Sequence, residues 1–358
     1  MRLLSRMATP LNSRYQKQML FSGIGEAGQT ALRESRVLLV GCGALGCVLA
    51  DSMTRAGVGH IRIVDRDFVE VSNLQRQTLF TEGDVHSHIP KAIAAANRLR
   101  QVNSEIEIEP FVADVDHTNI LEFAADCDLM LDGTDNFEIR YLINDVSLET
   151  GCPWIFTGCT GSHGQMMPVF PGKTACLRCL MQNPPPPGST ETCDTAGVLG
   201  PAIGVIASLQ AAMALRILTG RHDDQRLNRI PLKLTIVDVW DLTFRQVDVS
   251  RLRDSTDCPA CKQGERLWLD GSQSSGSTIL CGRNAVQISP PEETQLSLPE
   301  LAKRLETAGK VTANAFLVRA ELVESDLQIT VFPDGRAIVK GTEDPSAAKA
   351  VYSRYIGT

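Results

Sequence analysis

The sequence predicts an α/β fold: a Rossmann-like, mostly parallel sheet with helices on both faces, an antiparallel appendage and a small C-terminal α+β domain. Three observations predict it. RVLLV, residues 36–40, is a strand-like run that leads directly into GCGALG and then into helix-forming residues. From there to PWIFTGCTG, apolar strand-length runs alternate with helical stretches, the pattern of a parallel sheet buried on both sides. With 358 residues, 43% of them hydrophobic, the chain is long enough for two cores.

Each element follows in order. ALGCVLADSMTRAG reads as a helix stopped at Gly57, and HIRIVD and EIEIEPF read as strands. DLMLDGTDN is a further strand, NFEIRYLINDVSLETG a helix, and PWIFTGCTG a buried strand. GQMMPVFPG is expected to be a hairpin arm leading into CLRC. After QNPPPPGSTETCDTAGVL, the stretch VLGPAIGVIASLQAAMALRILTG supplies a long helix. PLKLTIVDVWDLTFRQVDV reads as two antiparallel strands, the second alternating at Phe244, Val247 and Val249, and CPAC follows. The first domain is therefore expected at residues 1–262, a Gly/Ser-rich linker at 263–277 and the small domain at 278–358. In the last, STILCGRNAVQI is followed by the capped helix SLPELAKRLETAG, two or three strands with an Asp334-Gly335 turn, and the helix DPSAAKAVYSRYI.

Composition excludes some function classes. A net charge of −7 argues against a nucleic-acid partner. MRLLSRMATP lacks the apolar stretch of a signal peptide, and the longest apolar segment is interrupted by Gln210 and Arg216. No membrane partner is expected, and a core helix is the better reading. Eleven cysteines without a secretory segment point to a reducing, cytoplasmic compartment.

Gly41, Gly43 and Gly46 form GxGxxG between strand and helix, with Asp65 ending the next strand 19 residues on. Such a turn lets a phosphate approach the backbone at a helix N-terminus, while the acid accepts from ribose hydroxyls. It does not separate NAD from ATP. Arg76 and Lys91 favour a triphosphate, because phosphoryl chemistry needs cations that hydride transfer does not. Asp135, at the carboxyl end of a strand, suits magnesium. The bland alternatives are a solvated loop for Arg76 and Lys91 and a helix N-cap for Asp135.

Cys176 and Cys179 make one CxxC and Cys258 and Cys261 another, with 78 residues between the pairs. Four thiolates form a closed structural zinc site; redox dithiols are the competing reading. Cys42, Cys47, Cys127, Cys152 and Cys159 fit core positions. Cys193 differs, since it follows a proline-rich loop.

GCGALG, VDRDFVEVSNLQRQ, DGTDN, CLRC, TCDTAGVLGP and CPAC match, in order, the motifs of the ubiquitin-activating-enzyme-like adenylyltransferases of the ThiF, MoeB and HesA group. The resemblance spans residues 14 to about 262. It implies a homodimeric enzyme that adenylates the C-terminal Gly-Gly of a small ubiquitin-like sulfur-carrier protein and releases pyrophosphate. On that resemblance Gly41, Gly43, Ala44, Asp65, Asp67, Asn73, Arg76, Lys91, Asp135 and Asn136 bind ATP and Mg2+, with Asp135 the essential acid. It also implies a basic residue reaching the partner's ATP from an RYxRQ stretch. This chain reads Arg14-Tyr15-Gln16-Lys17-Gln18, so Lys17 or Arg14 takes that role, and lysine lacks the planar fork. His86 and His88 read as a solvated helix lead-in. Cys193 matches a cysteine on a loop that can cross the adenylate, where a thiolate is a competent nucleophile; an incidental loop cysteine is the alternative.

Residues 278–358 lack the CxxxxR/S loop of a rhodanese domain, and Cys281 falls in an expected strand. The region resembles the extension of some bacterial ThiF-type proteins of thiamine thiazole synthesis and is expected to dock carrier or partner. The resemblance therefore implies a ThiS-like carrier, with a sulfur donor such as a cysteine desulfurase as a further partner. A MoaD-like or tRNA-thiolation carrier is the alternative within the class; an NAD-dependent oxidoreductase and a non-catalytic scaffold are the alternatives outside it.

Overall fold

The computed structural model describes residues 11–185, 196–220, 230–273, 277–280, 284–288, 290, 295–323 and 325–357. In chain order its first unit contains α1 (Leu11–Met19), α2 (Gly25–Arg33), β1 (Arg36–Val40), α3 (Ala44–Ala56) and β2 (His60–Val64). A 3-10 turn (Val71–Asn73), α4 (Glu82–His86), α5 (Lys91–Val102), β3 (Glu107–Phe111), α6 (Ile120–Ala124) and β4 (Leu129–Asp132) follow. Next come α7 (Phe137–Thr150), β5 (Trp154–Thr160), β6 (His163–Val169), α8 (Leu177–Leu180), α9 (Gly200–Gly220), β7 (Lys233–Asp238), β8 (Thr243–Asp248) and α10 (Leu252–Ser255).

These strands form one eight-stranded sheet in the order β3-β2-β1-β4-β5-β6-β7-β8. β3, β2, β1, β4 and β5 are parallel, and β6 to β8 add on antiparallel. Alternation along β1 divides the core. Val37 and Leu39 face one cluster with α3, α5 and α9, while Leu38 and Val40 face the other with α7 and the paired cysteines. α9 is the one described helix long and apolar enough to cross a membrane, and about half of it is buried against the sheet. Its buried Gln210 donates to the carbonyls of Asp132 and Ile155 at 3.1 and 3.3 Å, which ties the helix to the ends of two parallel strands.

β8 departs from the expected half-buried strand. All six of its residues are exposed, because it is the edge of the sheet and nothing described covers it. Phe244 and Val247 are three residues apart and so point to opposite faces, while Val249 lies beyond the strand and is buried. Trp268, inside the stretch read as linker, is also buried, and its backbone N–H donates to Asp145 at 3.0 Å. Burial pushes the pKa of that carboxyl up to about 6.

The chain divides into two compact units near Ser272. The second contains β9 (Ser277–Leu280), β10 (Ala285–Ile288), α11 (Leu298–Leu305), β11 (Gly309–Ala313), β12 (Val318–Leu322), β13 (Gln328–Val331), β14 (Ala337–Lys340) and α12 (Pro345–Tyr355). Its antiparallel sheet runs β11-β12-β13-β14-β10-β9, with the two helices packed on one face. Four strands, not two or three, follow α11, since the short polar turns between them are weak breaks in sequence. Gly335 supplies the left-handed turn between β13 and β14 at φ +81°. Cys281 lies outside the described residues.

Candidate nucleotide site and cysteine cluster

The glycine turn is built by close backbone packing at the carboxyl ends of β1 and β4. Gly41 has φ +85°, and its N–H donates to the Val64 carbonyl at 2.8 Å. A Cβ on Gly46 would lie 2.2 Å from the Gly41 oxygen, and one on Gly133 would lie 2.3 Å from the same atom. No side chain fits at either position. Gly43, the N-cap of α3, differs: a Cβ there would meet nothing closer than 3.9 Å. Its missing side chain leaves open approach to the first turn of α3, where Ala44 starts the helix and unpaired N–H groups favour an anion.

Asp65, Asp67 and Lys91 converge beside this turn. Asp65 accepts from the Cys42 N–H at 2.6 Å through one oxygen and from the Asp67 N–H at 2.7 Å through the other. It braces the turn and keeps further lone pairs on both oxygens. Burial raises its pKa, and the Lys91 ammonium opposes that shift. Lys91 is 3% exposed and bonds Asp67 at 2.9 Å, so it is a held cation at the start of α5 and not a solvated loop residue. Asn73 is buried too, its oxygen accepting from the Glu70 N–H at 3.0 Å within a capping box. That box shapes the loop from which Arg76 extends. Arg76 is partly exposed and donates to the Ser72 carbonyl at 2.9 Å. At Gly200, the start of α9, an added Cβ would lie 3.2 Å from the Gln75 carbonyl oxygen and 4.0 Å from the Arg76 Cβ.

Asp135 lies two residues after Gly133, and its side chain is exposed with no partner among the described residues. It is not the N-cap of α7. Asn136 is, accepting from the Glu138 N–H at 2.8 Å. The DGTDN loop is instead held by a pair that sequence reading passed over. Asp132, fully buried, accepts from the Thr134 N–H and hydroxyl at 2.9 and 2.7 Å, from Arg140 Nε at 3.0 Å and from the Thr157 N–H at 3.3 Å. Arg140 Nη2 donates to the Thr134 carbonyl at 2.7 Å. The first aspartate is thus the scaffold and the second the presented carboxylate.

Arg14 and Lys17 are not brought to this site. α1 packs at the far ends of α3 and α5: Tyr15 lies against Gly57, Gln18 donates to the Ala56 carbonyl at 2.9 Å, and Arg14 donates to the Val102 carbonyl at 3.0 Å. Those helices begin at the glycine turn and at Lys91, so α1 lies about 20 Å away, the length of such a helix. Arg14 also faces Glu105 at 3.6 Å, whereas Lys17 is exposed with no described partner. Cys193 lies outside the described residues. His86 closes α4 and His88 follows it.

The paired cysteines do converge. Cys176, Cys179, Cys258 and Cys261 bring four Sγ atoms within 4.8 Å of one another, the one such group of ligands among the described residues. Neighbouring sulfurs are 3.8, 3.6 and 3.5 Å apart. A tetrahedron with metal–sulfur bonds of about 2.3 Å has edges near 3.8 Å, so the donor set fits zinc. Arg178 stacks 5.3 Å over Trp268 and bonds Glu265 at 3.1 Å, folding the segment after Cys261 back over the cluster.

Residues 15–260 match the model of the ThiF family. The chain is 39% identical over 348 residues to the sulfur carrier protein ThiS adenylyltransferase of Bacillus subtilis, covering 97% of this chain and 100% of that protein. It is 37% identical to the sulfur carrier protein adenylyltransferase of Thermus thermophilus, covering 69% and 90%, and 37% identical to the SAMP-activating enzyme E1 of Haloferax volcanii, covering 73% and 92%. Among solved structures, E. coli MccB with ATP superposes with a TM-score of 0.58 at 22% identity, covering 70% of this chain and 74% of that one. That likeness is one of fold.

Proposed function

Because the chain belongs to the ThiF family, we propose that it is an adenylyltransferase that activates the C-terminal glycine of a ThiS-like sulfur-carrier protein with ATP. The observation that carries this reading is the glycine turn with Lys91 fixed on one side and the exposed Asp135 carboxylate on the other. Likeness to the Bacillus enzyme over 97% of this chain and 100% of that protein supports the thiamine thiazole route. Relatives that act on other carriers keep the MoaD-like and tRNA-thiolation alternatives within the same chemistry.

The triphosphate would lie on the α3 N-terminus, with Asp65 toward the ribose and Arg76 and Lys91 along the phosphates. In the reaction a carboxylate oxygen of the carrier attacks the α-phosphorus, the bond to the bridging oxygen of the β-phosphate breaks, and pyrophosphate leaves. The product is a carrier acyl adenylate, and no proton is consumed. Both reactants are anions, so fixed cations and in-line positioning lower the barrier. Asp135 and Asn136 suit a magnesium ion, which would neutralise charge on the phosphates. Lys91 is already paired with Asp67 and buried, so it costs no reorganisation when charge develops.

Arg14 and Lys17 lie too far from their own site to act there, which makes a homodimer the arrangement in which either could contribute. Lys17 is the less committed of the two. Zinc at the cysteine cluster is structural, since four sulfurs leave no open position. A cytoplasmic setting and a cysteine desulfurase as sulfur source complete the reading.

ATP–pyrophosphate exchange with ThiS-like and MoaD-like carriers tests it. Exchange should depend on a carrier with its terminal glycines, with kcat/KM highest for the ThiS-like one. Exchange that ignores the carrier would refute the function, and preference for a MoaD-like carrier would refute the pathway.

A further inference from the structure

Gly158 has no reason within the fold to be glycine. It sits inside β5 with an ordinary strand conformation, and a Cβ built on it would meet nothing closer than 3.7 Å. Gly46 and Gly133 are excluded from side chains by backbone 2.2 and 2.3 Å away, and Gly164 by Ile206 at 2.7 Å. A glycine within a strand weakens it, and often marks where a ligand or another backbone comes close.

The three nearest atoms to that point are all donors. Arg140 Nη1, Arg140 Nη2 and Gln165 Nε2 each lie 3.7 Å from the point where the Cβ would stand. Gln165 is the cross-strand partner of Gly158 on β6. Arg140 is 5% exposed and its Nε and Nη2 are engaged by Asp132 and Thr134. Its Nη1 and the Gln165 amide nitrogen have no partner among the described residues, yet neither is among the sealed, unpaired atoms of the interior. Both therefore reach solvent. The same guanidinium holds the loop that presents Asp135, so these donors adjoin the site.

We propose that Gly158, Arg140 and Gln165 form a cradle for the glycine-rich tail of the carrier: a tail carbonyl oxygen lies over Gly158 and accepts from Arg140 Nη1 and Gln165 Nε2. This rests on the proposed function and deepens it by assigning residues to tail recognition. Arg140 acts here as a binding residue whose placement is fixed by Asp132. A tail of glycines suits a floor without side chains, since two backbones can then approach directly.

The test compares Gly158→Ala and Gln165→Met with the wild type in carrier-dependent exchange, using a recombinant ThiS-like carrier. Gly158→Ala should raise the KM for carrier by about tenfold or more, as one added methyl in a fitted pocket does. Its KM for ATP should stay within twofold, and its Tm should equal or exceed that of the wild type. Gln165→Met should raise the carrier KM several-fold with the same ATP behaviour. An unchanged carrier KM in Gly158→Ala overturns the proposal. So does a parallel loss of ATP affinity and Tm, which would make Gly158 a packing residue. A wild type that ignores every carrier would count against the proposed function itself, a separate result.

Discussion

Asp135→Ala is expected to lower carrier-dependent ATP–pyrophosphate exchange by about a thousandfold, or roughly 4 kcal/mol in the barrier. The side chain is exposed and has no partner among the described residues, while the neighbouring Thr134 and Asn136 side chains are hydrogen-bonded, so its removal leaves no buried orphan. Tm should move by less than about 0.5 kcal/mol equivalent, as for other surface positions. This separation makes the variant informative. A mutant that folds, binds nucleotide and retains exchange would show that the carboxylate presented by the DGTDN loop is not the essential acid. Asp132→Ala would not discriminate, because it strands Arg140 in the interior and unfolds the loop along with the site.

Removal of metal should produce the largest effect on stability. The four sulfurs belong to segments with 78 residues between them in sequence and sit in or against the core cluster that includes Tyr141 and Trp154. Without an ion, four thiols packed 3.5–3.8 Å apart gain little from one another. A structural zinc site contributes its binding energy to folding. Purified protein should carry one zinc per chain, and Cys258→Ser should lower the first thermal transition by roughly 10 °C, about 3–5 kcal/mol for a unit of this size. Chelation should do the same on a slower time scale. Full-length protein that lacks zinc, or that loses it without change in Tm, would contradict the assignment.

Much of this was legible in sequence because the signals are local. GxGxxG between strand and helix needs only a turn and a helix start, and two CxxC pairs specify a tetrahedral set once the strands between them are counted. What sequence reading missed is contact across strands. Asp132 looks like any residue of DGTDN until its carboxylate is seen to join Thr134, Arg140 and Thr157, residues from three segments. Arg140 carries no motif of its own, and its burial comes from Asp132 and Thr134. Asp65 and Asn73 read as ligand contacts, yet each also braces its own loop, a role visible only when backbone N–H partners are known. Lys91 could not be told from a solvated lysine, since its burial comes from Asp67 and the start of α5. The apolar alternation of β8 misled because periodicity does not show whether a strand is central or at an edge. Distance misleads as well: Arg14 and Lys17 precede the glycine turn by some two dozen residues in sequence and lie a full helix length from it in space.

The most direct measurement is the intact mass of the carrier itself. A ThiS-like carrier incubated with ATP, magnesium and enzyme, then quenched in the cold, should gain one AMP with loss of water at its C-terminus. The adduct should be absent without enzyme, and absent with a carrier shortened by its two terminal glycines. A carrier of unchanged mass, under conditions where the enzyme binds ATP and both proteins are folded, would contradict the account.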